Sequence, residues 1–383
     1  MRGSSSNIHL ASGQRDWLRE TRRALVYRRI CFAVFLLLLA PILRAQATPS
    51  PALLVLAKQD QTLDIVDPAT LKVVGRVPVG PDPHEVVASA DGRYAYASNY
   101  GFGAYHTIAV IDLARQKALD PIDVGVLRSP HGLAWAGGKL YFTAEISKII
   151  GRYDPASHTV DWLLGTGQNR THMIIVSGDL NHIYTSNVVS GTISIFDRTA
   201  DPEGGSSRGG PGGRPPVPVG ASPPPPPPPG RPKSGWNETV LPSGPASEGF
   251  DVAPDGREIW AANAGDGTVT VMDPIQKEVI AHLEANVAGA NRLRFTPDGR
   301  RVFISSLRTG EVVVFDSATR RVVDRIHVGH GAAGILMQPD GTRAYVACSP
   351  DDNVAVIDLR TLRVIGRIQT GRGPDGMAWA VRK

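Results

Sequence analysis

Short runs of alternating apolar and polar residues, each closed by an aspartate, recur along the chain. Seven runs end in this way, at Asp67, Asp112, Asp154, Asp197, Asp273, Asp316 and Asp358. Successive aspartates lie 42 to 45 residues apart, except for one interval of 76 residues. Alternation with a period of two predicts half-buried β-strands, and a unit repeated at about 43 residues predicts a repeat architecture.

Turn signals divide each unit into four strands. Asp-Gly pairs stand at 91–92, 255–256, 298–299 and 340–341, each before a second apolar run. Asp-Gly between alternating runs is a strong hairpin signal, and four antiparallel strands in about 43 residues make one propeller blade. The fold class predicted is all-β, a seven-bladed β-propeller of four-stranded blades. We number the blades from the one that contains Asp112, so that the closing blade is the seventh.

The two ends of the repeat region complete one another. Residues 371–381 have the pattern of an innermost strand without the rest of its blade, and residues 53–79 supply three strands without an innermost one. Together they predict a seventh blade shared by both termini, which removes the exposed edges that each would otherwise present.

The long interval contains an insertion in blade 3. Residues 201–235 hold 13 prolines and 9 glycines, including an unbroken proline run at 223–229. Such a composition cannot bury a core, so we expect a disordered insertion in which the proline run favours polyproline II. Two interpretations follow: a solvated loop on the propeller rim, or a stiff rod that binds an aromatic-lined partner.

The N-terminus accounts for the net charge of +5. Residues 1–47 hold eight arginines against two acidic residues, so the remainder carries a net charge of −1. Arg28 and Arg29 precede about 14 apolar residues and then Ala45-Gln46-Ala47, the pattern of a secretory signal peptide over 1–47. The alternatives are an uncleaved anchor, a true start at Val26 and twin-arginine export. Cleavage leaves 48–383 as the propeller, with Cys348 as its only cysteine, no disulfide and no membrane span.

Four second strands carry a related tetrapeptide: Tyr-Ala-Ser-Asn at 96–99, Tyr-Thr-Ser-Asn at 184–187, Trp-Ala-Ala-Asn at 260–263 and Tyr-Val-Ala-Cys at 345–348. These resemble the Tyr-Val-Thr-Asn repeat of the YVTN (YncE-like) seven-bladed β-propellers. The resemblance covers residues 50–383 apart from the insertion. It implies the fold, and it implies relatedness to lactonase-type and cytochrome d1-like propellers. It does not determine the function.

The repeat register also predicts a site at the mouth of the central channel. Counting back from each turn gives one equivalent position per blade at the start of the innermost strand: His84, His131, His172, Glu248, Asn291, Ala333 and Asp375. The second strands end at the same mouth with Asn99, Glu145, Asn187, Asn263, Ser306 and Cys348. Arg170 and Arg292 lie within two residues of the inner ring. We therefore expect a polar site of His84, His131, His172, Glu145, Arg170, Glu248, Asn291, Arg292 and Asp375.

This residue set allows three interpretations. His84, His131 and His172 could ligate a divalent, zinc-like metal ion, because neutral imidazoles beside carboxylates suit such an ion. The two arginines could instead hold a small polar or anionic ligand without a metal. The third interpretation is that these side chains only line a wet channel.

Glu248 adds a hypothesis of catalysis. Its strand start, Ala246-Ser247-Glu248, is similar to that of lactonase-type propellers, and the resemblance implies Glu248 as general acid or base, with Arg170 or Arg292 holding a substrate carboxylate. Gly249-Phe250 departs from the family, which has an aliphatic residue after the glutamate.

The sequence thus favours a periplasmic or secreted, monomeric propeller that binds a small polar ligand or another protein at its channel mouth. The rival is a lactonase-type hydrolase that uses Glu248 with or without a metal ion. A third hypothesis is a surface interaction module that uses the proline run. The charge of −1 disfavours nucleic acid as a partner, and no P-loop, dinucleotide fingerprint or nucleophile elbow occurs.

Overall fold

A computed structural model describes residues 47–200 and 234–382. The predicted signal peptide lies outside these residues except for Ala47, and so does the proline run. Within the described ranges no helix is long and apolar enough to cross a membrane. The helical content there is two 3₁₀ turns, Gly101–Gly103 and Ser349–Asp351.

Seven four-stranded antiparallel sheets form the blades, as predicted. The closing blade 7 contains β1 (Ala52–Ala57), β2 (Thr62–Asp67) and β3 (Lys72–Pro78), and blade 1 contains β4 (Pro83–Ala88), β5 (Tyr94–Asn99), β6 (Thr107–Asp112) and β7 (Lys117–Asp123). Blade 2 contains β8 (Pro130–Ala136), β9 (Lys139–Ala144), β10 (Ile149–Asp154) and β11 (Thr159–Gly165). Blade 3 contains β12 (Thr171–Val176), β13 (His182–Asn187), β14 (Thr192–Ala200) and β15 (Ser234–Pro242).

The other strands follow the same order. Blade 4 contains β16 (Ser247–Val252), β17 (Ile259–Asn263), β18 (Val269–Asp273) and β19 (Glu278–Leu283). Blade 5 contains β20 (Ala290–Phe295), β21 (Arg301–Ser306), β22 (Glu311–Asp316) and β23 (Arg321–His327). Blade 6 contains β24 (Ala332–Met337), β25 (Arg343–Cys348), β26 (Asn353–Asp358) and β27 (Arg363–Gln369), and β28 (Pro374–Ala380) completes blade 7.

Closure of the ring occurs as the sequence predicted. Strand β28 pairs antiparallel with β1, with Leu53 opposite Trp379 and Leu54 opposite Ala378. Each innermost strand also contacts the innermost strands of both neighbouring blades, so that β4, β8, β12, β16, β20, β24 and β28 surround the channel. The first and last strands therefore share one sheet.

The core is divided among the junctions between blades. At the junction of blades 7 and 1, Leu54 and Ile65 pack with Val86, Ala97 and Ile111, and all five are buried. Further clusters of the same kind join blades 4 and 5 and blades 5 and 6. Burial of apolar side chains on both faces of a blade explains why an inner strand such as β1 is buried along its whole length, whereas the outermost strand β11 alternates between exposed and partly buried residues.

Glycines in the innermost strands allow these strands to approach closely. A Cβ atom at Gly132 would lie 2.4 Å from the carbonyl oxygen of His172, and one at Gly376 would lie 2.2 Å from that of His84. Both distances are far below van der Waals contact. They explain why glycine is the third residue of Pro130-His131-Gly132 and of Pro374-Asp375-Gly376.

The insertion begins and ends on the two outer strands of blade 3. Strands β14 and β15 stay paired as far as Ala200 opposite Ser234. The predicted insertion of 201–235 is therefore two residues too long, because 234 and 235 belong to β15. Residues 201–233 lie outside the described residues.

Candidate functional site

A bulge places one side chain of every blade at the channel mouth. The first residue of each innermost strand pairs with the next strand, and regular pairing resumes three residues later. The second residue lies in the bulge between them. The structure gives this position to the seven residues counted from the sequence: His84, His131, His172, Glu248, Asn291, Ala333 and Asp375.

The residue before each innermost strand has a positive φ in all seven blades. It is glycine in blades 5 to 7 (Gly289, Gly331 and Gly373) and Asp82, Ser129, Arg170 and Ala246 in blades 1 to 4. A non-glycine residue in this region costs about 1 kcal/mol. Asp82 and Arg170 adopt this conformation despite its cost, and their side chains bind other residues of the site.

At the ends of the second strands, a side chain such as Asn99 holds the backbone in place and does not line the cavity. The Asn99 Nδ2 group donates to the carbonyl oxygens of Val79 and Pro81, both at 2.9 Å. Glu145 differs because it lies one residue beyond the equivalent strand end, Ala144. Lys58 and Tyr100 occupy the same position beyond their own strands and also line the mouth. The sequence analysis missed both, although counting one residue past the strand ends would have found them.

His131, His172 and Glu145 form the buried centre of the site. The His131 and His172 rings stack with centroids 3.7 Å apart, and His172 Nδ1 is hydrogen-bonded to Glu145 Oε1. The Tyr100 hydroxyl donates to Glu145 Oε2 at 2.6 Å, and Arg170 Nε donates to the same oxygen at 3.3 Å. Glu145 therefore has three side-chain hydrogen-bond partners, one from the end of β5 and two from the start of β12.

The two stacked histidines have opposite protonation preferences. Burial, together with the nearby His172 cation, holds the pKa of His131 well below its ordinary value. Burial also lowers the pKa of His172, but the Glu145 and Glu248 carboxylates outweigh it and raise that pKa overall. The pKa of His131 is therefore shifted in favour of the neutral imidazole, and that of His172 in favour of the cation. His131 Nδ1 is buried and has no hydrogen-bond partner among the described residues.

Glu248 is held as a carboxylate. Its Oε1 accepts hydrogen bonds from Asn291 Nδ2 at 2.8 Å and Arg292 Nη1 at 3.1 Å, and it lies 3.3 Å from His172 Nε2. Burial raises the pKa of Glu248, but His172, Arg292 and Arg170 lower it to about 2. A carboxylate in this state can accept a proton but carries none to donate at neutral pH.

Arg292 connects opposite sides of the ring. Its Nη2 group forms an ion pair with Glu85 of blade 1, and its Nη1 group pairs with Glu248 of blade 4. Arg292 itself belongs to blade 5 and is only 4% exposed. Blades 1 and 5 are not neighbours, so the Glu85–Arg292 pair crosses the channel. Glu85 was not among the residues expected from the sequence.

His84 contacts the His131 ring, with centroids 5.0 Å apart, but its nitrogen atoms face other groups. Its Nε2 lies 3.1 Å from Asp82 Oδ1, and its Nδ1 lies 3.5 Å from Lys58 Nζ. Lys58 also pairs with Asp375 at 3.2 Å. The His84 hydrogen bond, against some opposing burial, lowers the pKa of Asp82 to about 2. Lys58, Asp82, His84 and Asp375 thus form a second polar group beside the first.

Three side chains form a set of metal-ligand type. One of them differs from the three histidines expected from the sequence. Ligand atoms of His131, Glu145 and His172 all lie within 4.8 Å of one another. Glu145 takes the place that the sequence analysis gave to His84. Two imidazoles and one carboxylate are a donor set used by three-ligand catalytic zinc sites.

The mouth encloses a cavity of about 390 Å³. This is the lower part of the size range of small-molecule pockets. The cations reach solvent at its rim, since the side chains of Arg170 and Lys58 are 34% and 29% exposed. The carboxylates of Glu145 and Asp375 are 1% and 10% exposed. Glu248, which also lines the cavity, is 20% exposed, so Arg170 and Lys58 are the most exposed charged side chains of its lining.

Comparisons with known proteins agree with this fold. The Cytochrome D1 heme domain family model matches residues 255–378, about a third of the chain. A functionally unknown protein from Desulfotomaculum acetoxidans superimposes with a TM-score of 0.65 at 11% identity, covering 87% of this chain and 100% of that one. A candidate 6-phosphogluconolactonase from Bacteroides uniformis gives 0.64 at 14% identity, covering 86% and 99%.

A further structural neighbour is the dihydro-haem d1 dehydrogenase NirN in complex with DHE. It gives a TM-score of 0.58 at 14% identity, and the alignment covers 85% of this chain and 65% of that one. No curated protein matches this chain in sequence. At these identities the structural likeness establishes the propeller fold alone.

The channel mouth does not fit a haem group. The family match at 255–378 includes Asn291, Arg292 and Asp375 but none of the site histidines. Among those histidines, His131 and His172 are stacked on each other, which leaves no slot for a macrocycle between them. The Glu85–Arg292 ion pair occupies the channel itself. We therefore assign no haem chemistry to this site.

Proposed function

We propose that the chain is an exported propeller that binds a small anionic polar ligand at its channel mouth. The observation that carries this proposal is the distribution of charge: two partly exposed cations at the rim, beside less exposed carboxylates that are already paired. A carboxylate of the ligand can bind Arg170 and Lys58 without displacing water from a buried ion. Export rests on the signal-peptide pattern of residues 1–47.

Arg170 provides the first test. We expect at least one acid from a panel of small carboxylates, including gluconate and succinate, to raise the thermal unfolding midpoint by about 2–4 °C at saturating concentration. Arg170→Gln should reduce this shift, because it removes one of the two rim cations. Arg257→Gln is the matched control, since Arg257 is 79% exposed on a turn at the opposite face. Equal shifts in both variants would contradict the proposed ligand class.

The second candidate is a lactonase-type hydrolase, favoured by the His131–Glu145–His172 donor set. When bound there, a divalent ion would supply Lewis-acid chemistry toward a carbonyl oxygen. Glu248 would contribute as an acceptor of a proton or as an anchor for a substrate hydroxyl, because its pKa of about 2 rules out a stored proton. Arg170 would orient a substrate carboxylate.

Metal content separates the two candidates. Protein purified from the periplasm without chelator or tag histidines is expected, for the hydrolase, to contain about one zinc ion per chain by elemental analysis. His131→Ala should lose it, while His84→Ala should keep it because His84 lies outside the donor set. Lactone hydrolysis should then disappear in Glu248→Ala. Metal-free protein that still shifts with carboxylates would leave the binding propeller as the function.

A further inference from the structure

A second large cavity lies between blades 1 and 2, on the face opposite the channel mouth. It has a volume of about 1100 Å³ and is bordered by the turns that follow the innermost strands. Its walls carry Tyr94, Tyr96, Trp135, Tyr153 and Leu119, which we call the aromatic groove. Leu119 is 41% exposed, so the groove presents an apolar side chain to solvent beside its aromatic rings.

Trp135 has an unused hydrogen-bond donor in this groove. Its Nε1 atom is buried and has no partner among the described residues. Trp379 occupies the equivalent position in blade 7, five residues after the proline that begins the strand, and donates to the carbonyl oxygen of Met337 at 2.8 Å. A buried N–H without an acceptor costs about 1–3 kcal/mol. The difference between the two tryptophans indicates an acceptor supplied from outside the described blades.

The aromatic pair in the groove is also arranged differently. Tyr96 and Trp135 are nearly parallel, with an interplanar angle of 14° and centroids 5.3 Å apart. The equivalent Tyr345 and Trp379 meet edge to face at 76°. The stacked pair, with its free indole N–H, forms an aromatic side of the groove, and proline-rich segments bind to aromatic-lined grooves.

We propose that the aromatic groove binds the chain's own proline run at 223–229. Prolines lack N–H groups, so their carbonyl oxygens remain free to accept the Trp135 donor, and a polyproline II segment loses little entropy on binding. Strand β14 carries the chain toward the face that holds the groove, because Asp197 in it is equivalent to Asp154, which lines the groove. The 22 residues between Ala200 and the run can span up to about 70 Å.

The charges of the aromatic groove and of the segment 201–233 also favour the proline run as the occupant. The groove is lined by Asp91, Asp120 and Asp154, against Lys117 and His158. The segment 201–233 carries four basic residues, Arg208, Arg214, Arg231 and Lys233, against Asp201 and Glu203. A basic proline-rich segment therefore faces an acidic aromatic groove, and the long-range attraction favours their association.

The test uses a fluorescently labelled synthetic peptide of residues 221–233 and measures its fluorescence anisotropy, because Trp135 is itself replaced in one variant. Two versions of the protein receive it: the full chain, and a variant in which Asn-Gly replaces 201–233, a turn suited to the Ala200–Ser234 pair. We expect the shortened variant to bind the peptide and Trp135→Phe in it to weaken binding about tenfold. Trp379→Phe should leave binding unchanged, because that N–H already has an acceptor.

The full chain should bind the peptide at least tenfold more weakly than the shortened variant, because its own run competes. A full-length variant with glycine and serine in place of prolines 223–229 should regain tight binding, which keeps the test valid if the shortened variant does not fold. Equal peptide affinity of wild type and this variant would overturn the proposal. So would an absence of binding to both variants, or a concentration-dependent dimer in which a second copy supplies the run.

Discussion

Replacing Arg292 by methionine is expected to lower the free energy of unfolding by about 3–5 kcal/mol. The substitution keeps the volume of the side chain but removes the cation that pairs with Glu85 and Glu248. Both carboxylates would then lose this partner, and because Glu85 and Glu248 are only 12% and 20% exposed, water would compensate for it poorly. Chemical denaturation at pH 7 measures the loss.

Two comparisons make this prediction specific. Arg257→Met should change the free energy of unfolding by no more than about 0.5 kcal/mol, because Arg257 is 79% exposed and lies 3.9 Å from Asp255. Combining Arg292→Met with Glu85→Gln should recover part of the loss, since one of the two unpaired charges is gone. A loss below about 1 kcal/mol in Arg292→Met would show that the cross-channel pair does not support the ring.

The fold could be predicted from sequence because its signals are local. Alternation within a strand, Asp-Gly turns and the recurrence of Asp67 and its six counterparts all lie within one repeat of about 43 residues. The same regularity predicted the seven equivalent positions at the channel mouth, from His84 to Asp375, because equivalent residues take equivalent places in every blade. Closure by β28 followed from two incomplete repeats at the termini.

The chemistry of the site was harder to predict, because it depends on contacts between repeats. Glu85 and Arg292 are 207 residues apart, and no spacing in the sequence relates them. Equivalence in the repeat also does not determine which side chains meet. His84 pairs with Asp82 while Glu145, from one residue past a strand end, joins His131 and His172. The packing of blades 1, 2 and 3 therefore decides that Glu145, and not His84, completes the group with His131 and His172.

The protonated state of His172 links this packing to pH. Its folded-state pKa lies above the ordinary value of 6.5, despite burial, because of Glu145 and Glu248. Its contribution to stability is therefore complete below pH 6.5 and is lost as the pH rises through the folded-state pKa. Glu145 and Glu248 have lowered pKa values, so their contributions are complete above about pH 4.5 and fade as the pH falls further, for Glu248 toward pH 2.

His172→Gln should accordingly destabilise the protein most between about pH 4.5 and 6.5, by about 3–5 kcal/mol. The difference from wild type should shrink at higher pH, because wild type then also loses the His172 charge. Denaturation across this pH range, with a chelator present so that no metal replaces the proton, measures it. His106→Gln is the control: His106 and Asp123 are 35% and 66% exposed, so the difference should stay within about 0.5 kcal/mol at every pH. A loss in His172→Gln that does not vary with pH would mean that the ring stabilises the site by packing and not by its charge.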